Sequence, residues 1–122
     1  MTITSAAENN FVMALTGSTS FWMAGGDVQE GVWRWTAGPE SGRLLDIYPT
    51  FWASGEPTGS KLENALCYLS SAQGWADYFH IGFLGYVIEY ECPFNPFSTG
   101  YCSRKSQLLL NNFTLILTML IS

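Results

Sequence analysis

The chain has 122 residues, of which 48% are hydrophobic, 16% are aromatic and only 12% are charged. This length suggests one domain, and the composition supplies ample material for a packed core. The formal net charge is −5, and without a basic patch to meet phosphates the chain is not expected to bind nucleic acid.

Cysteine usage leaves the cellular compartment open. Cys67, Cys92 and Cys102 are an odd number, so they cannot all pair within one chain. A bridge between Cys92 and Cys102 remains one option. There is no CxxC spacing, and a single His80 gives zinc too few ligands. The first residues lack the basic and apolar regions of a signal peptide. We therefore expect either an intracellular protein or an export signal outside this chain.

The first regular element predicted with a clear start is a helix over residues 6–15. Residues 2–4 resemble the end of a strand. Ser5 followed by Glu8 fits a capping box, and Gly17 is a natural C-terminal stop.

Strand patterns follow at residues 21–24, 32–36, 64–70 and 86–91. Trp33 and Trp35 share one face of the second segment, and we predict that both are buried, together with Trp22. In the last segment Glu89 and Glu91 lie on the same face as Val87, which predicts that this face is exposed to solvent.

Between the second and third strands, residues 40–62 carry little regular structure. A loop this long is usually functional or disordered. Its aromatic residues Tyr48, Phe51 and Trp52 favour an ordered, packed loop.

Three acidic side chains, Glu56, Glu63 and Asp77, fall within a short turn-rich span. Pro57 keeps Glu56 out of the helical region, and the bond between them can be cis. Calcium takes six to eight oxygen ligands from carboxylates, carbonyls and water, so the pattern is compatible with a calcium site. The alternative is that the three acids are merely solvated.

The C-terminal part changes character. Residues 93–107 are predicted to be a turn-rich linker, and residues 108–122 a strongly apolar tail. Fifteen residues are fewer than the roughly 20 needed to span a bilayer. Three interpretations remain: a packed element, a tail that associates with a membrane or is a cleaved anchoring signal, and a poorly ordered extension.

Several motifs occur in the order found in the C-type lectin-like domain, which residues 2–91 resemble. FWMAGGD resembles the family's Trp-Ile-Gly-Leu motif, and EGVWRWTAGPE resembles the hairpin after it. FWASGEPTG and GWAD are similar to the Trp-x-x-Gly-Glu-Pro-Asn and Trp-Asn-Asp motifs, and GYVIEYE resembles the closing strand. The resemblance implies an α+β fold of short antiparallel sheets with a helix and a long structured loop over residues 1–92, without the family's first strand and first helix.

The resemblance also implies a site. In sugar-binding members the two motifs and an acid between them bind one calcium ion, and the same ligands then hydrogen-bond two sugar hydroxyls. Here Glu56, Glu63 and Asp77 match the acidic ligands. Thr58 and Ala76 stand where the family has asparagine, which puts mannose-type recognition in doubt more than calcium binding.

The function implied is a non-catalytic carbohydrate-recognition module at the cell surface or outside the cell. Its sugar-binding residues would be Glu56, Thr58, Glu63, Asp77 and Trp52, the last offering a ring to the apolar face of a sugar. Tyr78 and Phe79 are further candidates for that ring.

Two alternatives compete with this function. One is a metal-free domain that binds a protein ligand or is structural. The other is an enzyme with Glu56 and Asp77 as paired acids and His80 as base, for which nothing in the sequence supplies a nucleophile. We do not expect an enzyme.

Overall fold

The computed structural model describes residues 1–82 and 84–90, together with the backbone of two C-terminal strands, Lys105–Leu110 and Phe113–Thr118. Within these residues the fold is α+β, with one α-helix and one mainly antiparallel sheet, as predicted. The elements are helix α1 (Ala6–Thr16) and strands β1 (Phe21–Gly26), β2 (Arg34–Trp35), β3 (Ala65–Leu69), β4 (Gly74–Tyr78), β5 (Gly85–Tyr90), β6 (Lys105–Leu110) and β7 (Phe113–Thr118), with one 3-10 turn at Leu45–Ile47.

Helix α1 begins where the capping residues predict. The Ser5 hydroxyl accepts from the Glu8 backbone N–H at 3.1 Å. The Glu8 carboxylate reaches back over the start of the helix and accepts from the Thr4 N–H at 2.8 Å. The helix ends at Gly17, whose φ is 57° and whose N–H donates to the Met13 carbonyl. Because that φ lies in the left-handed region, glycine is the natural residue there.

The strand order in the sheet is β4-β3-β1-β5-β6-β7, with β2 paired to β1. Strands β1 and β5 run parallel, with Trp22 opposite Tyr86. On its other edge β5 pairs antiparallel with β6, which in turn pairs with β7. A C-terminal hairpin thus pairs with the edge of β5 that does not face β1. The predicted linker over 93–107 and the Cys92–Cys102 bridge lie largely outside the described residues.

One face of the sheet packs against α1 and forms the core. Because side chains alternate along a strand, this face carries every second residue of β1, β3, β4 and β5. The buried apolar residues are Ile3, Val12, Phe21, Met23, Trp33, Trp35, Leu45, Leu66, Tyr68, Trp75 and Val87. The predicted burial of Trp33 and Trp35 is confirmed. Trp22, also predicted to be a core residue, is only half-buried and packs against Tyr78.

The predicted orientation of β5 is wrong. Val87 is 2% exposed, whereas Tyr86 on the other face is 48% exposed. The nearby glutamates suggested that the Val87 face meets solvent. However, the register with β1 places Tyr86 beside the half-buried Trp22, so Val87 turns toward the core.

The N-terminal residues adopt no regular strand, contrary to the prediction for residues 2–4. They still follow the sheet, because the Met1 carbonyl accepts from the Ala24 N–H at 2.9 Å and Ile3 is fully buried. In the described part of the chain, no helix is long and apolar enough to cross a membrane.

Candidate functional site

The long loop is attached to the edge of β4 by backbone hydrogen bonds. The Trp75 N–H donates to the Phe51 carbonyl and the Ala53 N–H donates to the Trp75 carbonyl, both at 2.8 Å. The approach is close enough to require glycine at position 74, because a Cβ there would lie 2.6 Å from the Ala53 backbone nitrogen. The residues after Ala53 are therefore held against the end of β4.

Trp75 fixes this strand to the rest of the core. Its indole N–H donates to the Asn9 side-chain oxygen of α1 at 3.2 Å in a buried position. Its ring makes edge-to-face contacts with Phe51 at 5.4 Å and with Trp35 and Trp52 at 6.1 Å. Such contacts stabilise an aromatic cluster beyond simple area burial. Asp77 is the next residue of β4 on the same face as Trp75.

Asp77 anchors the loop through three hydrogen bonds. Its carboxylate accepts from the backbone N–H groups of Thr58 at 2.9 Å and Gly59 at 3.1 Å, and from the Thr58 hydroxyl at 3.0 Å. Asp77 is 3% exposed, and a buried carboxylate needs such partners. Two segments nearly twenty residues apart are thereby joined at one carboxylate.

Glu63 is brought to the same place by Thr58. The Thr58 Oγ1 lies 3.0 Å from Glu63 Oε2 and 3.0 Å from Asp77 Oδ2, and it accepts from the Ser60 N–H at 3.3 Å. A hydroxyl has a single proton to donate, so it can serve only one of the two carboxylates at a time. The other contact is favourable only with a further proton or a cation.

Glu56 completes the group, which we call the acid cluster: Glu56, Glu63 and Asp77. The Glu56–Pro57 bond is cis, as the sequence allowed. A hydrogen bond with the Asp77 carboxyl, followed by burial and the charges of Asp77 and Glu63, raises the pKa of Glu56 to about 7. One oxygen of Glu56, Oε2, is buried without a hydrogen-bond partner.

The pKa of Asp77 is shifted in the opposite direction, below its ordinary value. Burial would raise its pKa, but hydrogen bonds from the Glu56 carboxyl, the Thr58 N–H and hydroxyl and the Gly59 N–H outweigh burial and lower it. The pair therefore shares a proton that resides on Glu56, while Asp77 stays ionised.

The residues present fit a hard cation. Glu56 Oε2 has no hydrogen-bond partner, and a single Thr58 proton lies between the carboxylates of Glu63 and Asp77. Oxygen atoms are therefore available as ligands. No basic side chain of the described residues contributes to the pKa of Glu56 or Asp77. No preformed group of three or more His, Cys, Asp or Glu ligands is found in the described residues. Calcium also takes backbone oxygens and water as ligands.

The remaining candidates lie outside the acid cluster. The Trp52 ring is half-buried and packs edge-to-face on Trp33 at 5.1 Å. Tyr78 packs on Trp22 at 6.1 Å. Phe79 is 42% exposed, and His80 is exposed beyond the end of β4. The structure thus gathers Glu56, Thr58, Glu63 and Asp77.

Sequence reasoning missed the backbone donors. The N–H groups of Thr58 and Gly59 donate to the Asp77 carboxylate, and no side-chain motif in the sequence predicts these hydrogen bonds. The one available signal is Gly59, whose φ of 72° is natural for glycine. Ala76, between Trp75 and Asp77, is fully buried and offers only its carbonyl, which accepts from the Cys67 thiol at 3.6 Å.

No family model matches the chain, and no curated protein matches it. The geometry of the acid cluster and the motifs quoted above are what support a function.

Proposed function

We propose that the chain is a C-type lectin-like, non-catalytic carbohydrate-recognition module that binds calcium through Glu56, Glu63 and Asp77. The observation that carries this proposal is that the carboxylates of Glu63 and Asp77 meet at the Thr58 hydroxyl, while Glu56 interacts with Asp77. Glu56, Glu63 and Asp77 would hold a divalent cation, which would displace the proton on Glu56 and offset most of the cluster's negative charge.

The position of the two motifs supports the family resemblance. The Glu-Pro-Thr segment and the Trp-Ala-Asp segment are distant in sequence, yet Thr58 and Asp77 are bonded directly. Glu63, the acid between the motifs, reaches the same threonine. The family's calcium ligands come from the equivalent positions, which is why the resemblance predicts this convergence.

The chain's own residues have distinct roles in this proposal. Glu56 provides Oε2, which has no hydrogen-bond partner, as a ligand, and it is deprotonated when the ion binds. Asp77 holds the loop closed while contributing a carboxylate, and Glu63 contributes the third. Thr58 is the polar side chain placed to meet a sugar hydroxyl. Calcium held by these three acids would take two adjacent sugar hydroxyls as further oxygen ligands.

A metal-free protein-binding domain is the second candidate, and one observation favours it. Asp77 accepts three hydrogen bonds from the loop, so the chain's own donors hold the loop in place. Ala76 also brings no side-chain oxygen to the cluster. In this alternative the loop is a rigid contact surface for a protein.

Thermal unfolding with calcium and with a chelator distinguishes the two. At pH 8 and calcium at about 100 times its dissociation constant, the native state should gain roughly 2.7 kcal/mol. Asp77→Asn should abolish the gain. Glu30→Gln, which removes an exposed acid outside the cluster, should keep it and serves as the matched control.

A glycan screen in calcium then tests the ligand class. Calcium-dependent retention on neutral glycans that is lost in chelator supports the carbohydrate-recognition proposal. Identical melting curves in calcium and chelator contradict calcium binding and favour the metal-free domain. A calcium shift without any glycan retention contradicts the sugar ligand alone.

A further inference from the structure

A cavity that includes Trp52 but none of the acid-cluster residues lies beside the long loop. The cavity has a volume of about 330 Å³, at the lower end of the range typical of small-molecule sites. It is lined by Trp33, Trp52, Val32, Leu44, Asp46 and Thr50 among others. Its lining comes from three separate segments of the chain, around residues 31–33, 44–46 and 50–52.

The walls of this cavity are aromatic and apolar. The rings of Trp33 and Trp52 meet edge-to-face with centroids 5.1 Å apart. Leu44 and Val32 add aliphatic surface. Trp33 is 9% exposed and Trp52 is half-buried. The face of an indole ring attracts a cation more strongly than a neutral group of the same shape.

The one ionisable side chain in the lining is negative. Asp46 is exposed on the 3-10 turn Leu45–Ile47, and no described residue forms a hydrogen bond or ion pair with its carboxylate. The two arginines of this region are engaged elsewhere. Arg43 donates to the Tyr48 hydroxyl at 3.2 Å and Arg34 to the Gly42 carbonyl at 2.9 Å.

We propose that this cavity binds an organic ammonium group, with its alkyl or aryl body against Trp33 and Trp52 and its charge beside Asp46. An anion is disfavoured because Asp46 repels it. A neutral ligand packs against the apolar walls but gains no electrostatic attraction from the Asp46 carboxylate. The ammonium group comes either from a free amine or from a lysine side chain of a protein partner, and the chemistry is the same in both.

The test compares three probes of nearly equal shape: pentylammonium, 1-pentanol and pentanoate. Binding is followed by the NMR shifts of the indole N–H groups, assigned with Trp33→Phe and Trp52→Phe, in chelator so that the acid cluster plays no part. We expect pentylammonium to bind roughly 3- to 10-fold more tightly than 1-pentanol, and pentanoate to bind least.

Asp46→Asn should remove the preference for the cation while leaving 1-pentanol binding unchanged. Asp46 is exposed and has no bonded partner in the described residues, so the fold should tolerate the change. Glu30→Gln, a neighbouring acid outside the lining, is the control for net charge and should retain the preference. Short peptides carrying lysine or norleucine form the second arm. Preferential binding of the lysine peptide assigns a protein partner, and binding of the free amine alone assigns a small molecule.

Equal affinity for the alcohol and the amine, or an equal effect of the two acid substitutions, would overturn the proposal. So would shifts confined to indoles other than Trp33 and Trp52.

Discussion

Replacing Glu56 with glutamine should stabilise the protein at pH 8 in chelator, although it removes a residue of the candidate site. The pKa of Glu56 is raised from 4.5 to about 7, so the native state holds a proton there that the unfolded chain releases. Between about pH 4.5 and 7 the native state binds more protons, and stability falls as pH rises through this window. Above it, wild type carries an ionised Glu56 against Asp77.

The size of this effect follows from the same shift. A rise from 4.5 to about 7 corresponds to at most about 3.5 kcal/mol, at about 1.4 kcal/mol for each tenfold change in proton affinity. Because Glu56 is only partly buried, solvent screening reduces this to about 1–2 kcal/mol. In Glu56→Gln the amide N–H₂ donates to Asp77 as the protonated acid does, but without acquiring a charge.

The assay is thermal or urea unfolding of both proteins in chelator at pH 5 and pH 8. The variant should melt roughly 4–8 °C above wild type at pH 8 and within error of it at pH 5, where wild type is protonated. Asp77 does not interfere in this window, because its pKa is lowered from 3.8 and its contribution is lost only at lower pH. Equal destabilisation at both pH values would refute the shared proton. In calcium at pH 8 the order should reverse, because the variant lacks a ligand.

Three further substitutions test contacts that hold the loop and helix α1 in place. Asp77→Asn should lower the free energy of unfolding in chelator by about 1.5–3 kcal/mol, because an amide keeps only one acceptor oxygen for the loop donors. Urea denaturation measures this change, and an unchanged midpoint would contradict the anchoring role. Gly74→Ala should lower the free energy of unfolding by several kcal/mol, because its Cβ would lie 2.6–2.7 Å from the Ala53 backbone. Ala53→Gly should not restore stability, since the clash is with backbone atoms. A near-normal melting temperature would show that the loop moves freely. Ser5→Ala should cost about 1 kcal/mol through loss of the helix cap to Glu8, with less cost from Ser5→Asp, both read from thermal melts.

Much of the local structure was predictable because it depends on neighbours in sequence. Helix α1 was predicted from its cap residues, and its end differs from the prediction by one residue. Strands β1, β3 and β5 lie within two residues of their predicted bounds. The long loop was recognised from its glycines and prolines, and its packing onto the core from its aromatic residues.

Pairing across the sheet could not be predicted in the same way. The face of β5 that is buried depends on its parallel register with β1, which sets Tyr86 beside Trp22. The nearby glutamates suggested the reverse. Charged residues near the end of a strand do not determine which face of its middle is buried. The register is decided by contacts between segments more than sixty residues apart.

The amino-acid sequence by itself determined which acids are present in the candidate site, since Glu56, Glu63 and Asp77 were identified from residue type and spacing. Only the tertiary structure decided how they interact. Backbone N–H groups turn Asp77 into an anchor, and one Thr58 hydroxyl lies between two carboxylates. The proton on Glu56 follows from that crowding. Protonation depends on distance and burial, and these quantities arise only when the loop is folded against β4.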